Sequence, residues 1–464
     1  MAANDRAGPG QDRAGILLLT VSLSSFLTPF MASAVNLALP GIGRDFDMGA
    51  VALGWVPSSY LLSAAAFLLP FGRIADIIGR RRIFLCGLGI FILSSLASAV
   101  SPNASLFLIS RTIQGLGSAM VFGTGTAILV GLIPPEGRGR ALGINVAATY
   151  LGLSLGPYLG GLLVGQLGWR SIFIVVAAAG TAALGFAITY IDEDRSSSVG
   201  GWFNPYDSLL YGASLCALML GLSQLPQGRG VALLVAGVLG LVIFLRFEAV
   251  IKSPALDLDL FRGNPAFTYS NLAALINYCA TSAVGFLLSL YLQYLKGLSP
   301  QRAGLVLISQ PVVMALFSPL AGLLSDRIQP RILASAGMAV TTVGLAALAL
   351  MDKEAGLGSI AAALVVLGFG FALFSSPNTN AVMSAVDQRR YGVASAVLGT
   401  MRLLGQMLSM GLVMLLFSLF IGPVLIQPAN YPQFLASFRA ALWLFSVLCL
   451  AGTFASLARG RMPR

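Results

Sequence analysis

Two arginines interrupt long apolar runs, where charge is costly. Arg111 is followed by Gln114 nearly one helical turn on, and Arg402 stands near the middle of its own run. A guanidinium at such depth normally faces a cavity or a partner. Arg111 and Gln114 could relay protons or hold a substrate, and a structural arginine tying helix ends together would occupy the same place. Arg402 could face a cavity or bond to backbone carbonyls. Asn36, Tyr60, Asn277, Tyr278, Gln293, Gln310 and Asn378 are polar groups within or near other apolar runs. Each could contact a ligand or serve as interhelical glue. A third set, Arg73, Asp76, Arg80, Arg81 and Arg82, crowds into "FGRIADIIGRRR" at 71–82.

The elements that must carry these groups are membrane helices. The chain has 464 residues, 57% of them hydrophobic and only 10% charged, against about a quarter charged in soluble proteins. Residues 14–43 and 83–110 hold no charge at all, and each run exceeds the roughly 20 residues that span a hydrocarbon core. A β-barrel, with short alternating strands, does not fit this pattern. Charge clusters and Pro/Gly turns divide the chain into fourteen spans, near 14–39, 50–71, 83–100, 105–131, 142–164, 171–191, 207–225, 230–247, 268–294, 304–323, 332–350, 356–383, 392–421 and 438–458. The expected fold class is an all-α polytopic membrane protein.

An even count puts both termini on one side. Loops and tails on that side hold nineteen of the 28 Lys and Arg residues, and those on the other side hold seven. The positive-inside rule then places both termini in the cytoplasm. It also explains the net charge of +11 as topology and contact with anionic lipid headgroups, so no nucleic-acid partner is expected. The four cysteines lie in apolar runs at wide spacing, there is no histidine, and no metal or redox spacing appears. No nucleophile, metal or phosphate-binding constellation is present, so neither an enzyme nor a cofactor is expected. The polar start, 1–13, has no signal-peptide pattern and reads as a mobile cytoplasmic tail.

The charged stretch has a fainter copy. Gly72-x-Ile74-Ala75-Asp76-x-x-Gly79-Arg80-Arg81 returns as Gly322-x-Leu324-Ser325-Asp326-Arg327-x-Gln329-Pro330-Arg331. Each follows the second span of its half. Such a repeat suggests two similar bundles about a central path. "GRIADIIGRRR" resembles the loop 2–3 signature of the major facilitator superfamily. "SRTIQGLGSAM" at 110–120 resembles its fourth-helix pattern, and "GLSLGPYLGG" at 152–161 its fifth-helix antiporter pattern. "VNLALPGI" at 35–42, "GWVPSSYLL" at 54–62, "FEAVIKSPALDLDLFR" at 247–262 and "YLQYLKGLSPQRAGL" at 291–305 resemble the fourteen-span drug:proton antiporter-2 branch. The resemblance covers nearly the whole chain.

It implies a cytoplasmic tail at 1–13, a six-helix bundle at 14–191, a linker with two extra spans at 192–267, a second bundle at 268–458 and a tail at 459–464. The Ser/Gly-rich "DEDRSSSVGGWFNP" would be a flexible connection. It also implies a gating loop of Gly72, Arg73, Asp76, Gly79, Arg80 and Arg81, with Asp326 and Arg327 in the copy. Asp76 would latch the bundles together near Tyr391 and Gly392 when the transporter is open outward, with Arg138 and Arg140 as charge neighbours. Gly152, Gly156, Pro157, Gly160 and Gly161 would form a tight interface between bundles that favours export.

One position departs from the pattern: Met31 stands where the first helix of this branch usually carries aspartate, and none of the seventeen acids lies deep in a span. A cation in a low-dielectric cavity needs a negative partner. Neutral or anionic amphiphiles therefore fit better than lipophilic cations. The expected function is efflux of a hydrophobic or amphiphilic small molecule by alternating access, driven by the proton gradient, in a bacterial inner membrane. The partners implied are that substrate, protons and membrane lipids, with the chain a monomer. A lipid or amphiphile translocator without proton coupling is the alternative, and proton coupling through Asp76 and its arginines is a further possibility.

Overall fold

The computed structural model describes residues 9–133, 135–191, 204–251, 258–387 and 390–460. Expectations for residues 1–8, the linker at 192–203 and residues 461–464, and for the side chains of Arg138 and Asp326, lie outside that description. The described elements are all helical. The first six are α1 (Pro9–Asp45), α2 (Ala50–Ile78), α3 (Arg80–Ala99), α4 (Ala104–Leu132), α5 (Pro135–Leu167) and α6 (Arg170–Tyr190). Then come α7 (Pro205–Gln224) and α8 (Gly228–Glu248). The rest are α9 (Pro265–Thr281), α10 (Val284–Leu290), α11 (Pro300–Leu307), α12 (Ser309–Arg327), α13 (Pro330–Ala349), α14 (Leu357–Ser384), α15 (Tyr391–Phe420) and α16 (Tyr431–Ala458). A π turn at Tyr291–Leu295 extends α10, so Pro265–Leu295 forms one broken span and Pro300–Ser325 another.

Thirteen described spans are long and apolar enough to cross a membrane. The fourteenth expected span, α7, is long enough at 20 residues but more polar, with Asp207, Ser208, Ser214 and Gln224 along it. It packs closely on its neighbour. Gly221 of α7 lies against Leu234 of α8, while Gly237 and Gly240 of α8 lie against Leu218 and Ser214 of α7. The two helices therefore run antiparallel along their length.

The two halves repeat one packing scheme. In the first, α1 packs on α5 and α6, α2 on α4, and α3 on α4 and α6. In the second, α9 packs on α15 and α16, α12 on α14, and α13 on α14 and α16. Each pair has its counterpart. The halves meet where α2 lies on α15 and α5 lies on α11 and α12, again a reciprocal pair. Small residues and interhelical hydrogen bonds hold such bundles, because lipid tails are as apolar as leucine.

The α7–α8 hairpin covers one of these seams. Tyr211, Leu215, Leu218, Met219 and Leu222 of α7 form a cluster with Leu62, Ala65, Ala66 and Leu69 of α2, and with Met407 and Met414 of α15. We call the side where α1 begins and α16 ends the terminal face, and the other side the distal face.

The charged loop and its copy make their turns differently. Gly79 has φ 111° and its N–H bonds the Ala75 carbonyl at 3.0 Å, a conformation natural to glycine. In the copy, Gln329 takes the extended conformation favoured before proline, and Pro330 begins α13. Proline thus replaces the glycine turn.

Candidate functional site

A cavity of about 210 Å³ lies between the halves. Its first wall carries Ser33 and Asn36 of α1, Pro57 and Tyr60 of α2, Arg111 of α4 and Pro157 of α5. Its second carries Tyr278 and Thr281 of α9, Ser282, Phe286 of α10, Gln310 of α12, Phe371 of α14 and Gln406 of α15. Arg111 is 1% exposed. Its Nε donates to the Val56 carbonyl at 3.3 Å and its Nη1 donates to Gln114 Oε1. The guanidinium lies 4.7 Å from the centre of the Tyr60 ring, a cation–π distance. Gln114, fully buried, donates onward to Ser95 Oγ at 2.6 Å, and Tyr60 donates to Ser118 Oγ at 2.6 Å. Seven residues into α4, Arg111 is roughly 10 Å below the distal end of that helix.

Of the expected pocket residues, Asn36, Tyr60, Tyr278 and Gln310 line the cavity with Arg111. Three do not. Asn378 donates to the Ser270 carbonyl at 3.2 Å. Asn277 is fully buried and away from the cavity lining. Gln293 joins the halves instead, donating to the Leu37 carbonyl at 3.3 Å and to Ser289 Oγ at 2.9 Å. Gln114 stands behind Arg111. Arg402 stands behind Tyr278, with its guanidinium 5.6 Å from that ring and its Nη2 donating to Thr379 Oγ1 at 2.8 Å. Sequence reasoning missed Gln406, although its spacing of four from Arg402 puts both on one face of α15.

The glycine strip faces its own half. A Cβ at Gly156 would lie 2.6 Å from Ser33 Cβ, one at Gly160 would lie 2.6 Å from Ala34 Cβ, and one at Gly152 would overlap the Phe26 carbonyl. The strip therefore packs on α1. Only its end reaches the other half, where a Cβ at Gly161 would lie 2.5 Å from the Pro300 carbonyl oxygen. The residues of this stretch that meet the second half are Ser154, Pro157 and Gly161, with Ser154 donating to the Pro311 carbonyl at 3.0 Å. The reason is helical spacing, since residues four apart share one face. Pro157 cannot bond the Leu153 carbonyl, and Ser33 Oγ donates to that carbonyl at 3.3 Å.

The distal face is closed across the halves. Ser289 Oγ donates to the Asn36 carbonyl, Gly304 lies against the Pro157 carbonyl, and the Ala50 N–H donates to the Val424 carbonyl at 2.9 Å. At the terminal face a Cβ at Gly72, Gly79, Gly139, Gly143 or Gly392 would meet nothing within 4 Å. Asp76 pairs with Arg80 of its own loop at 3.0 Å, and Arg81 donates to the Ile188 carbonyl at 3.0 Å. Tyr391 is exposed. Among the described residues Asp76 makes no hydrogen bond or ion pair to Tyr391 or Gly392 at the start of α15, where the latch is expected.

A two-walled cavity beneath a closed distal face, in a doubled helical scaffold, is transporter architecture. A sequence profile of the Major Facilitator Superfamily matches residues 21–247 and 270–464. The chain belongs to the Major Facilitator Superfamily. It is a multi-pass integral membrane protein and a secondary transporter of small molecules, not an enzyme. It is 30% identical to the riboflavin transporter RibZ of Clostridioides difficile (strain 630) over 444 residues, covering 94% of this chain and 95% of the relative. It is 32% identical over 398 residues to the multidrug resistance protein Stp of Mycobacterium tuberculosis (strain CDC 1551 / Oshkosh), covering 84% and 73%. Among solved structures, a bacterial homolog of the human lysosomal transporter Spinster superposes with a TM-score of 0.68 at 17% identity, covering 98% of each chain.

Proposed function

We propose that this transporter exports hydrophobic or amphiphilic small molecules by alternating access, coupled to proton antiport, as a member of the drug:proton antiporter-2 branch. The observation that carries the reading is the shared cavity, with one wall from each half and cross-half contacts sealing its distal side. Substrate loads from the terminal face, which charge bias makes cytoplasmic. The two halves, 14–191 and 268–458, rock about the cavity, and α7–α8 accompany the α2–α15 seam. The setting is a bacterial inner membrane, with both termini inside and the chain acting as a monomer. A multidrug resistance protein among the relatives supports the export direction. Asp76, in the gating loop, is the carboxylate assigned to coupling.

A second reading is a lipid or amphiphile translocator without proton coupling. It is favoured by one observation: among the described residues the cavity lining contains no carboxylate, the usual carrier of a coupled proton. Purified protein in liposomes with an internal pH dye separates the two. Substrate-dependent proton movement that is lost in Asp76→Asn supports antiport. Substrate movement without proton flux sinks antiport and leaves the translocator.

A further inference from the structure

The buried charge of the cavity is unbalanced. Arg111 is 1% exposed, yet its polar partners are a carbonyl and an amide, Val56 and Gln114. Its ring partners, Tyr60 at 4.7 Å and Phe173 at 5.9 Å, carry no formal charge. Removing a cation from water costs several kcal/mol even after relaxation, and neutral acceptors recover only part of that. The other polar groups on the wall are amides and hydroxyls, among them Asn36, Thr281, Ser282, Gln310 and Gln406. These can donate to or accept from a ligand, but none supplies negative charge. Among the described residues the cavity lining therefore has one formal charge, and it is positive.

The bonding pattern leaves part of the guanidinium for a ligand. Nε and Nη1 are engaged by Val56 and Gln114. The Nη2 end has no hydrogen bond among the described residues, and Arg111 lines the cavity. Opposite, Tyr278 and Phe371 pack edge to face at 5.4 Å and offer an aromatic wall. Arg402, behind Tyr278, adds a second positive potential from that side. Amides on both walls suit a flat group bearing carbonyl oxygens.

We propose that the substrate supplies the missing counter-charge: the cavity takes a planar aromatic organic anion, a carboxylate or the equivalent enolate, with its anionic oxygen on Arg111. Lipophilic cations are rejected. The inference rests on reading the cavity as the transport site. A charge-assisted hydrogen bond in such a place is worth about 1.5–3 kcal/mol, or roughly tenfold to a hundredfold in affinity.

A matched series tests it by calorimetric titration of the purified full chain in detergent: 2-naphthoate, 2-naphthamide and 2-naphthylmethylammonium. The expected order runs from carboxylate through amide to ammonium, with naphthoate about tenfold or more tighter than the ammonium. Arg111→Gln should bring the three within about twofold while naphthamide binding persists, which also shows that the variant folds. Arg111→Lys should restore the preference for the anion. Equal or tighter binding of the ammonium by the native protein overturns the proposal, as does binding of none of the three. An anion preference that survives in Arg111→Gln does so too. Binding in micelles needs no gradient, so lost preference with intact flux sinks this inference alone. Retained preference without flux sinks only the exporter reading.

Discussion

Ser289 of α10 donates its hydroxyl to the backbone carbonyl of Asn36 in α1. That carbonyl is available because Pro40, four residues on, has no N–H to bond it. A proline inside a membrane helix thus supplies the acceptor that joins the halves at the distal face. Gln293, donating to Ser289 at 2.9 Å and to the Leu37 carbonyl at 3.3 Å, completes the clamp. Ser289→Ala removes a bond worth about 1 kcal/mol, which is roughly a fivefold change in an equilibrium. Spin labels at Asp47 and Lys353, on distal loops of opposite halves, should report more of the long-distance state. An unchanged distance distribution would remove this bond from the conformational balance.

Gly304 and Gly161 close the same face through backbone contact. A side chain at Gly304 would overlap the Pro157 carbonyl, and one at Gly161 would crowd the Pro300 carbonyl. Backbone cannot rotate away as a side chain can. Gly304→Leu should therefore wedge the distal face open and abolish cycling, at an overpacking cost of about 1–3 kcal/mol. The checks are substrate flux in liposomes and the same pair of spin labels. Normal flux from this variant would show that the helices need not approach so closely.

The helical scaffold was readable because long uncharged runs admit few structures in lipid. The repeat was readable because its charges cluster. Side-chain destinations were less so. Asn36 and Gln293 look alike in sequence, yet one lines the cavity and the other clamps the halves, since rotation about each helix decides which face a residue presents. The glycine strip carried its own answer in the spacing of Gly152, Gly156 and Gly160, but nothing local says that α1 is the helix it meets. Gln114 illustrates the limit: its amide holds Arg111 from behind, a role that depends on Ser95 of another helix.

The hairpin α7–α8 makes a further prediction. Gly411 of α15 sits where a Cβ would lie 2.6 Å from Leu222 Cδ1 and 3.2 Å from Met219 Sδ, both on α7. These are ends of flexible side chains, so Gly411→Ala should be tolerated. Gly411→Trp should push α7 off the α2–α15 seam and lower stability by about 1–3 kcal/mol, read as a fall in the thermal midpoint in detergent. A tryptophan variant as stable as the native chain would mean that the hairpin does not brace the seam.

Asp76 offers the opposite lever to Ser289. In this conformation its carboxylate engages Arg80 at 3.0 Å, in a pair whose side chains are 44% and 26% exposed. So exposed a pair is worth about 0–1 kcal/mol, and neutralising it should barely disturb the terminal-open state. The cost falls on the other conformation, where the carboxylate is proposed to meet the start of α15 at Tyr391 and Gly392. A carboxylate at a helix N-terminus is worth about 0.3–1 kcal/mol and up to about 2 kcal/mol when partly buried. Asp76→Asn should therefore shift the population toward the terminal-open, distal-closed state, by about fivefold for each kcal/mol lost. The labels at Asp47 and Lys353 should draw together, the reverse of the shift expected for Ser289→Ala. A shift in the same direction as Ser289→Ala would place the main role of Asp76 in the terminal-open state and exclude the latch.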